Sequence, residues 1–294
     1  MSTPMDAKQA QTVTGTGEAG PAPARPASRT GRFGVWALSR IWLILGLGAL
    51  WQLLSRASDN PYFPPPSDIF PIVRDLWFSG PVSHLFLTSK AIDDFTPSLA
   101  HIFAGWVAAS FAGIVLGIAL GRSRTATEFL DPLLQFGRAI PPPTLIPFFI
   151  IVFHIADSMY IAVITFGVIW PVLLNTIDGA RTVDALQLDT ARVFGISGWL
   201  RLWRVILPAA APKIFAGLRV SLSLALILMV ISELVGSTAG IGDHLVNAQR
   251  GFQLPEMWAG IVLLGILGLL FNGVFVLVER RVLAWHRGAL KNEG

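Results

Sequence analysis

SLAHIFAGWVAASFAGIVLGIALG, residues 98–121, contains no Asp, Glu, Lys or Arg. A helix needs ~20 mostly apolar residues to cross a hydrocarbon core about 30 Å thick, and this run is long enough to do so. Ser158 to Ile177 and Met257 to Val278 are two further stretches without a charged residue. A soluble protein with buried helices would show shorter runs. It would also show more charge, since soluble domains average roughly 25% charged residues and this chain of 294 residues has 14%. With a mean hydropathy of +0.62, the reading is an all-α membrane protein. The chain has no Cys, which excludes disulfides and thiolate metal sites.

Working outward from residue 98, six spans are expected, at about 36–54, 97–121, 132–153, 158–177, 214–236 and 257–279. The third is the least regular, because it carries Pro141, Pro142, Pro143 and Pro147. Proline removes a backbone donor, so the freed carbonyls need a neighbouring helix or a water-filled path. Pro141, Pro142 and Pro147 are therefore either structural kinks or candidates for a pathway or gate. Lys and Arg set the orientation. With the N-terminus in the cytoplasm, only Arg56, Arg74, Lys90 and Arg250 of the 22 basic residues fall outside, as the positive-inside rule requires. Both termini are then cytoplasmic.

Residues 1–33 are rich in Ala, Pro, Thr and Gly and read as a disordered cytoplasmic tail. The membrane domain is expected over 34–287, with a short cytoplasmic C-terminal tail at 288–294. The outer connection, about 55–96, passes through Pro64-Pro65-Pro66. Ser67 is then placed to cap an amphipathic helix running to about Phe78.

The inner connection, about 178–213, is the most informative segment. Val183, Leu186, Thr190, Val193 and Phe194 recur at helical spacing, and Gly195 stands where a C-terminal glycine ends a helix. A second short helix carries Trp199, Leu202, Trp203 and Ile206, with Pro208 expected to stop it. By these residues alone, two short amphipathic helices at a bilayer surface suit interfacial anchors.

Their particular order says more. Asp189-Thr190-Ala191, then Gly195, then Val205-Ile206-Leu207-Pro208 resembles the cytoplasmic "EAA" signature of ABC importer permeases. Here Asp, Thr and Val stand for the signature's Glu, first Ala and Ile. Phe63-Pro64-Pro65-Pro66-Ser67-Asp68, Arg138-Ala139-Ile140-Pro141-Pro142, Leu145-Ile146-Pro147 and Glu233 followed by Gly240-Ile241-Gly242 are similar to segments of the nitrate, sulfonate and taurine permease group. His154 departs from that group, which has Gly there. The resemblance covers about 35–287. It implies the type I ABC importer permease architecture, with six transmembrane helices and two short cytoplasmic coupling helices, in a bacterial inner membrane. It also implies four kinds of partner: a second permease copy, two cytoplasmic ATPase subunits, a periplasmic or lipid-anchored solute-binding protein, and membrane lipid. Asp189, Thr190, Ala191, Arg192, Gly195, Leu207 and Pro208 would then meet the ATPase, and the solute would be a small oxyanion such as a sulfonate, taurine or nitrate.

The chain lacks the Gly-x-x-x-x-Gly-Lys-Ser/Thr phosphate loop, an HExxH pair and a nucleophile elbow. No cofactor or metal is expected, ATP belongs to partner subunits, and nothing points to nucleic acid. Glu233 is the one carboxylate inside an apolar span. Intramembrane acids are functional candidates, and Glu233 either positions a neighbouring helix or, with His154, lines the path. A secondary, ion-coupled transporter is the alternative. It predicts an internal repeat and several intramembrane charges, and it leaves the inner loop unexplained.

Overall fold

The computed structural model describes residues 29–285, with side chains from Trp42 onward. The expected tails therefore lie outside the described residues, except for 29–33, which begin a helix. The chain divides into two compact units, Met1–Leu50 and Trp51–Gly294. The first contributes the opening turns of α1 (Arg29–Ser58).

In the second unit the order is α2 (Pro66–Trp77), α3 (Ser89–Gly121), α4 (Arg124–Ala139), α5 (Ile146–Phe153), α6 (Asp157–Arg181), α7 (Ala185–Val193), α8 (Gly198–Arg201), α9 (Leu207–Glu233), α10 (Ile241–Arg250) and α11 (Leu254–Val282). Among the described residues, four helical stretches are long and apolar enough to cross a membrane. They end at Gly121, Arg181, Glu233 and Val282. A fifth is present if α4 and α5 count as one bent span. The expected span at 36–54 lies on α1, part of which has no described side chains.

The core is the packing of α3 on α6 and of α6 on α9. Gly105, Ala109, Gly113, Gly117 and Gly121 follow one another every four residues, so they form a stripe down one face of α3. A Cβ at Gly105 would lie 2.6 Å from Ile164, and one at Gly117 would lie 2.5 Å from Thr176. Small residues let the two backbones approach, which is how apolar helices gain contact where no water is excluded. Ile102, Ala109, Ile164, Val168, Ala225, Leu228 and Met229 fill the space where α3, α6 and α9 meet.

Three expectations are corrected. The third span is not one kinked helix. It is α4 and α5 set at 83°, joined by a tight turn over Pro142–Leu145. The cause is local, since a residue preceding proline is driven out of the helical region. Ile140 and Pro141, each followed by proline, are both extended (ψ 118° and 122°).

Pro208 does not stop the second inner helix. From Gly198 the helix widens to a π-turn over Leu202–Ile206 and runs on as α9. The wide turn lets Leu207 N–H reach back to Leu202 O. Pro208, with no N–H to donate, follows directly on this wide turn.

Ser67 does not cap α2. Pro65 holds that position, and Ser67 N–H is taken instead by Gln52 Oε1 at 3.1 Å, while Gln52 Nε2 donates to Ser67 Oγ at 3.0 Å. The amphipathic α2 itself is as expected, with Ile69, Val73 and Trp77 buried against Ala91 of α3 and Ala259 and Leu263 of α11.

Candidate functional site

Two regions stand out, one at each end of α9. The first is the loop of α7 and α8. Asp184 caps α7 by accepting Leu186 N–H at 2.9 Å. At the other end Gly195 takes φ +66°, Ile196 N–H reaches Ala191 O at 2.9 Å, and Gly195 N–H reaches Arg192 O at 2.9 Å. This is the paired-bond helix terminus that a left-handed glycine makes. Open space surrounds Gly195, so the glycine serves the backbone turn and not a tight contact.

The seven residues of the signature divide between two surroundings. Ala191 is buried, and Leu207 and Pro208 are half-buried at the root of α9. Asp189, Thr190, Arg192 and Gly195 are exposed. Asp189 accepts from Arg192 Nη1 at 2.6 Å along its own helix, and Thr190 Oγ1 donates to Leu186 O at 2.7 Å.

The apolar stripe does not face inward. Val183 is buried, but Leu186, Val193 and Phe194 are 72%, 84% and 77% exposed. Trp199 and Trp203, in a T-shaped pair 5.6 Å apart, are exposed as well. Beneath α7 runs an open cleft of about 750 Å³, lined by Leu186, Thr190, Ala191, Phe194, Ile196, Pro208 and Trp285 among others. Contiguous exposed apolar side chains on a surface helix mark an interaction site.

The second region surrounds Glu233, which is 1% exposed. Its Oε2 accepts from Ser98 Oγ at 2.8 Å and from Gly242 N–H at 3.0 Å, and its Oε1 lies 2.9 Å from His101 Nδ1. Ser98 Oγ in turn accepts Ile241 N–H at 2.9 Å. Ser98 and Glu233 thus take two orphan donors from the first turn of α10. Gly240, at φ +109°, and Gly242 wrap the carboxylate, and a Cβ at either would collide with Glu233 at 2.6 and 2.4 Å. A buried carboxyl group is tolerated when both its oxygens are hydrogen-bonded like this.

Alongside, Trp77 Nε1 donates to Asp94 Oδ2 at 2.9 Å, and its ring stands edge-on to His244 of α10, 5.1 Å away. Burial pushes the His244 imidazole below the ordinary histidine range, against the pull of Asp94.

The five candidate pathway residues are dispersed. Pro142 packs on Gly167 of α6. Pro141 and Pro147 are exposed on either side of the turn. Glu233 sits in its hydrogen-bonded seat. His154, exposed at the end of α5, adopts φ +59° and ψ −174°, a region that is essentially glycine's. The glycine usual at this position in the resembling group thus has a backbone reason.

His101, Ser98 and Asp157 escaped the sequence reading. The available signal was that Ser98 and His101, three residues apart, share a helix face in an uncharged span, opposite a lone acid in another. Among the described residues, no group of three or more His, Asp or Glu is placed to hold a metal ion.

Residues 109–284 match the family model described as "Binding-protein-dependent transport system inner membrane component". The taurine transport system permease protein TauC of Escherichia coli (strain K12) is 30% identical over 85% of this chain and 92% of its own length. A Bacillus subtilis (strain 168) protein, SsuC, whose name assigns it provisionally to aliphatic sulfonates transport, is 32% identical over 81% of this chain and 83% of its own. The bicarbonate transport system permease protein CmpB of Synechococcus elongatus is 30% identical over 82% and 87%. The same fold occurs in a chain of the MetNI methionine ABC transporter, seen in inward-facing conformations, with a TM-score of 0.58 at 19% identity over 65% of this chain and 95% of that one. The chain therefore belongs to the inner membrane components of binding-protein-dependent transport systems, the permease subunits of ABC transporters.

Proposed function

We propose that this permease forms the path for a small oxyanion and couples it to cytoplasmic ATPase subunits through the loop 178–213. The observation that carries the coupling is the outward-facing stripe of Leu186, Val193 and Phe194, held at a fixed angle by the Gly195 turn. A helix that turns its apolar face away from its own core is shaped to enter a groove in a partner. The names of three relatives, for sulfonates, taurine and bicarbonate, support an oxyanion. The Lys and Arg distribution supports cytoplasmic termini. A second copy of the chain completes the path, and a solute-binding protein delivers to it from outside. ATP is held by the partner subunits alone, since the sequence has no phosphate loop; this chain moves between two packings without catalysing a reaction.

The test is detergent pull-down of the ATPase, together with ATP hydrolysis in nanodiscs with the binding protein present. Gly195→Val opposes φ +66° with a β-branched side chain. Asp189→Lys breaks the Arg192 pair and reverses the charge on the exposed face. Both variants should assemble as folded permeases yet lose ATPase association or solute-stimulated hydrolysis. Wild-type values in both would remove the loop from the coupling path.

A further inference from the structure

Glu233 Oε2 is filled by two donors, the Ser98 hydroxyl and the Gly242 N–H. Oε1 faces His101 Nδ1 at 2.9 Å, and the other ring nitrogen, Nε2, lies 3.2 Å from Asp157 Oδ1. An ionised carboxylate only accepts, and a neutral imidazole has one donor and one acceptor. The Asp157 side chain is 85% exposed, and to a carboxylate Nε2 donates. Nδ1 of a neutral ring would then present a lone pair to a carboxylate oxygen. The contact holds only with a further proton, on the ring or on Glu233.

We propose that His101 is a positioning residue: a proton held between it and Glu233 keeps Glu233 and Ser98 aimed at the first turn of α10 and so seats α10 on the ends of α3 and α9.

The other charged and titratable groups around this contact have partners of their own or lie apart from it. On α3, Asp94 is engaged by Trp77 Nε1 and Lys90 Nζ. On α6, the Tyr160 ring lies 4.8 Å from the imidazole, and Asp157 takes Nε2. On α10, Asp243 is bonded to Asn247 and His244 faces Trp77. Among the described residues only Glu233 and Asp157 bond the His101 ring. Gly240 and Gly242 press on Glu233 from the α10 side. If the proton leaves while Nε2 still donates to Asp157, two acceptors meet in a buried site, and it is there that the seat of α10 yields. The sign follows from linkage: the seated state binds one more proton than the unseated one, so seating is complete at low pH and weakens as pH rises through the titration of the pair.

The experiment is hydrogen exchange of the α10 segment in the full chain in nanodiscs, from about pH 5.5 to about pH 9, corrected for the intrinsic rate. In the wild type, α10 protection should fall with rising pH, by up to about tenfold per pH unit, the ceiling for one linked proton. Glu233→Gln should make protection independent of pH, because a carboxamide accepts from Ser98 and Gly242 and donates to a neutral ring. Asp157→Asn should do the same, because it can donate to Nε2 and free Nδ1–H for Glu233. If Glu233→Gln does not fold, the exposed Asp157→Asn carries the test. Flat protection in the wild type, or an unchanged slope in the folded variants, overturns the proposal.

Discussion

The loop of α7 and α8 and the seat of α10, joined through α9, are built on opposite plans. The loop turns Leu186, Val193 and Phe194 to solvent. The seat hides a carboxylate and an imidazole, each under 5% exposed. Exposed apolar surface stays unsatisfied until something covers it, whereas a buried, fully bonded polar cluster has nothing left to offer a partner. The two regions should therefore fail differently: the seat in the stability of the chain itself, the loop only in what it associates with.

The largest effect belongs to Glu233→Ala. It strips the Ser98 hydroxyl, the Gly242 N–H and the His101 ring of one acceptor at a single stroke. Each buried donor left without its acceptor costs roughly 1–3 kcal/mol. A large drop in the apparent Tm of the purified permease is expected, with Glu233→Gln retaining most of the wild-type value and some transport. Equal stability of the Ala variant and the wild type would mean that the seat holds nothing.

Leu186→Ala and Phe194→Ala come next, and their signature is the reverse. Both side chains are more than 70% exposed, so the Tm should stay near wild type, as surface changes usually do. Association with the ATPase should weaken, at a centrally placed hot spot by about 2 kcal/mol, or roughly 30-fold. Pull-down titration measures this. Unchanged association with unchanged Tm would leave the exposed stripe without a role.

The same contrast explains what could be read from the sequence. Long uncharged runs report spans directly, because only length and composition matter to a bilayer. The end of α7 was legible because Gly195 encodes its own turn. Three features were not. The direction of the α7 stripe was hidden because periodicity shows that residues share a face and not which way it points. The continuation through Pro208 depends on a π-turn, a register shift that leaves no composition signal. The seat joins Ser98, His101, Asp157, Glu233 and Gly242 from four elements, so its residues meet only once α3, α6 and α9 are packed. Glu233 stood out by its charge in an apolar span, but His101 passed as one ring among many.

His154→Gly should give the smallest effect and the only gain. His154 holds φ +59° and ψ −174° with its side chain exposed. Non-glycine residues in such regions carry roughly 1–3 kcal/mol of strain. Glycine removes that strain, but it gives back roughly 0.5–1 kcal/mol through the greater freedom of the unfolded chain. A net stabilisation of about 1 kcal/mol remains, which is roughly 2–4 °C in a domain of this size. His154→Ala keeps a Cβ in the same backbone conformation and should gain nothing, and this separates strain from any loss of the imidazole. Gly195→Ala is the mirror case. Its φ of +66° is set in open space, so the added methyl meets no neighbour and only the backbone objects. The cost falls on the exposed end of α7, so the α7 turn should loosen locally and the Tm should fall by less than His154→Gly raises it. Thermal melts of the three variants in one detergent decide the matter. If His154→Gly melts no higher than His154→Ala, the turn after α5 is not strained, and glycine's place there in related permeases has some other cause.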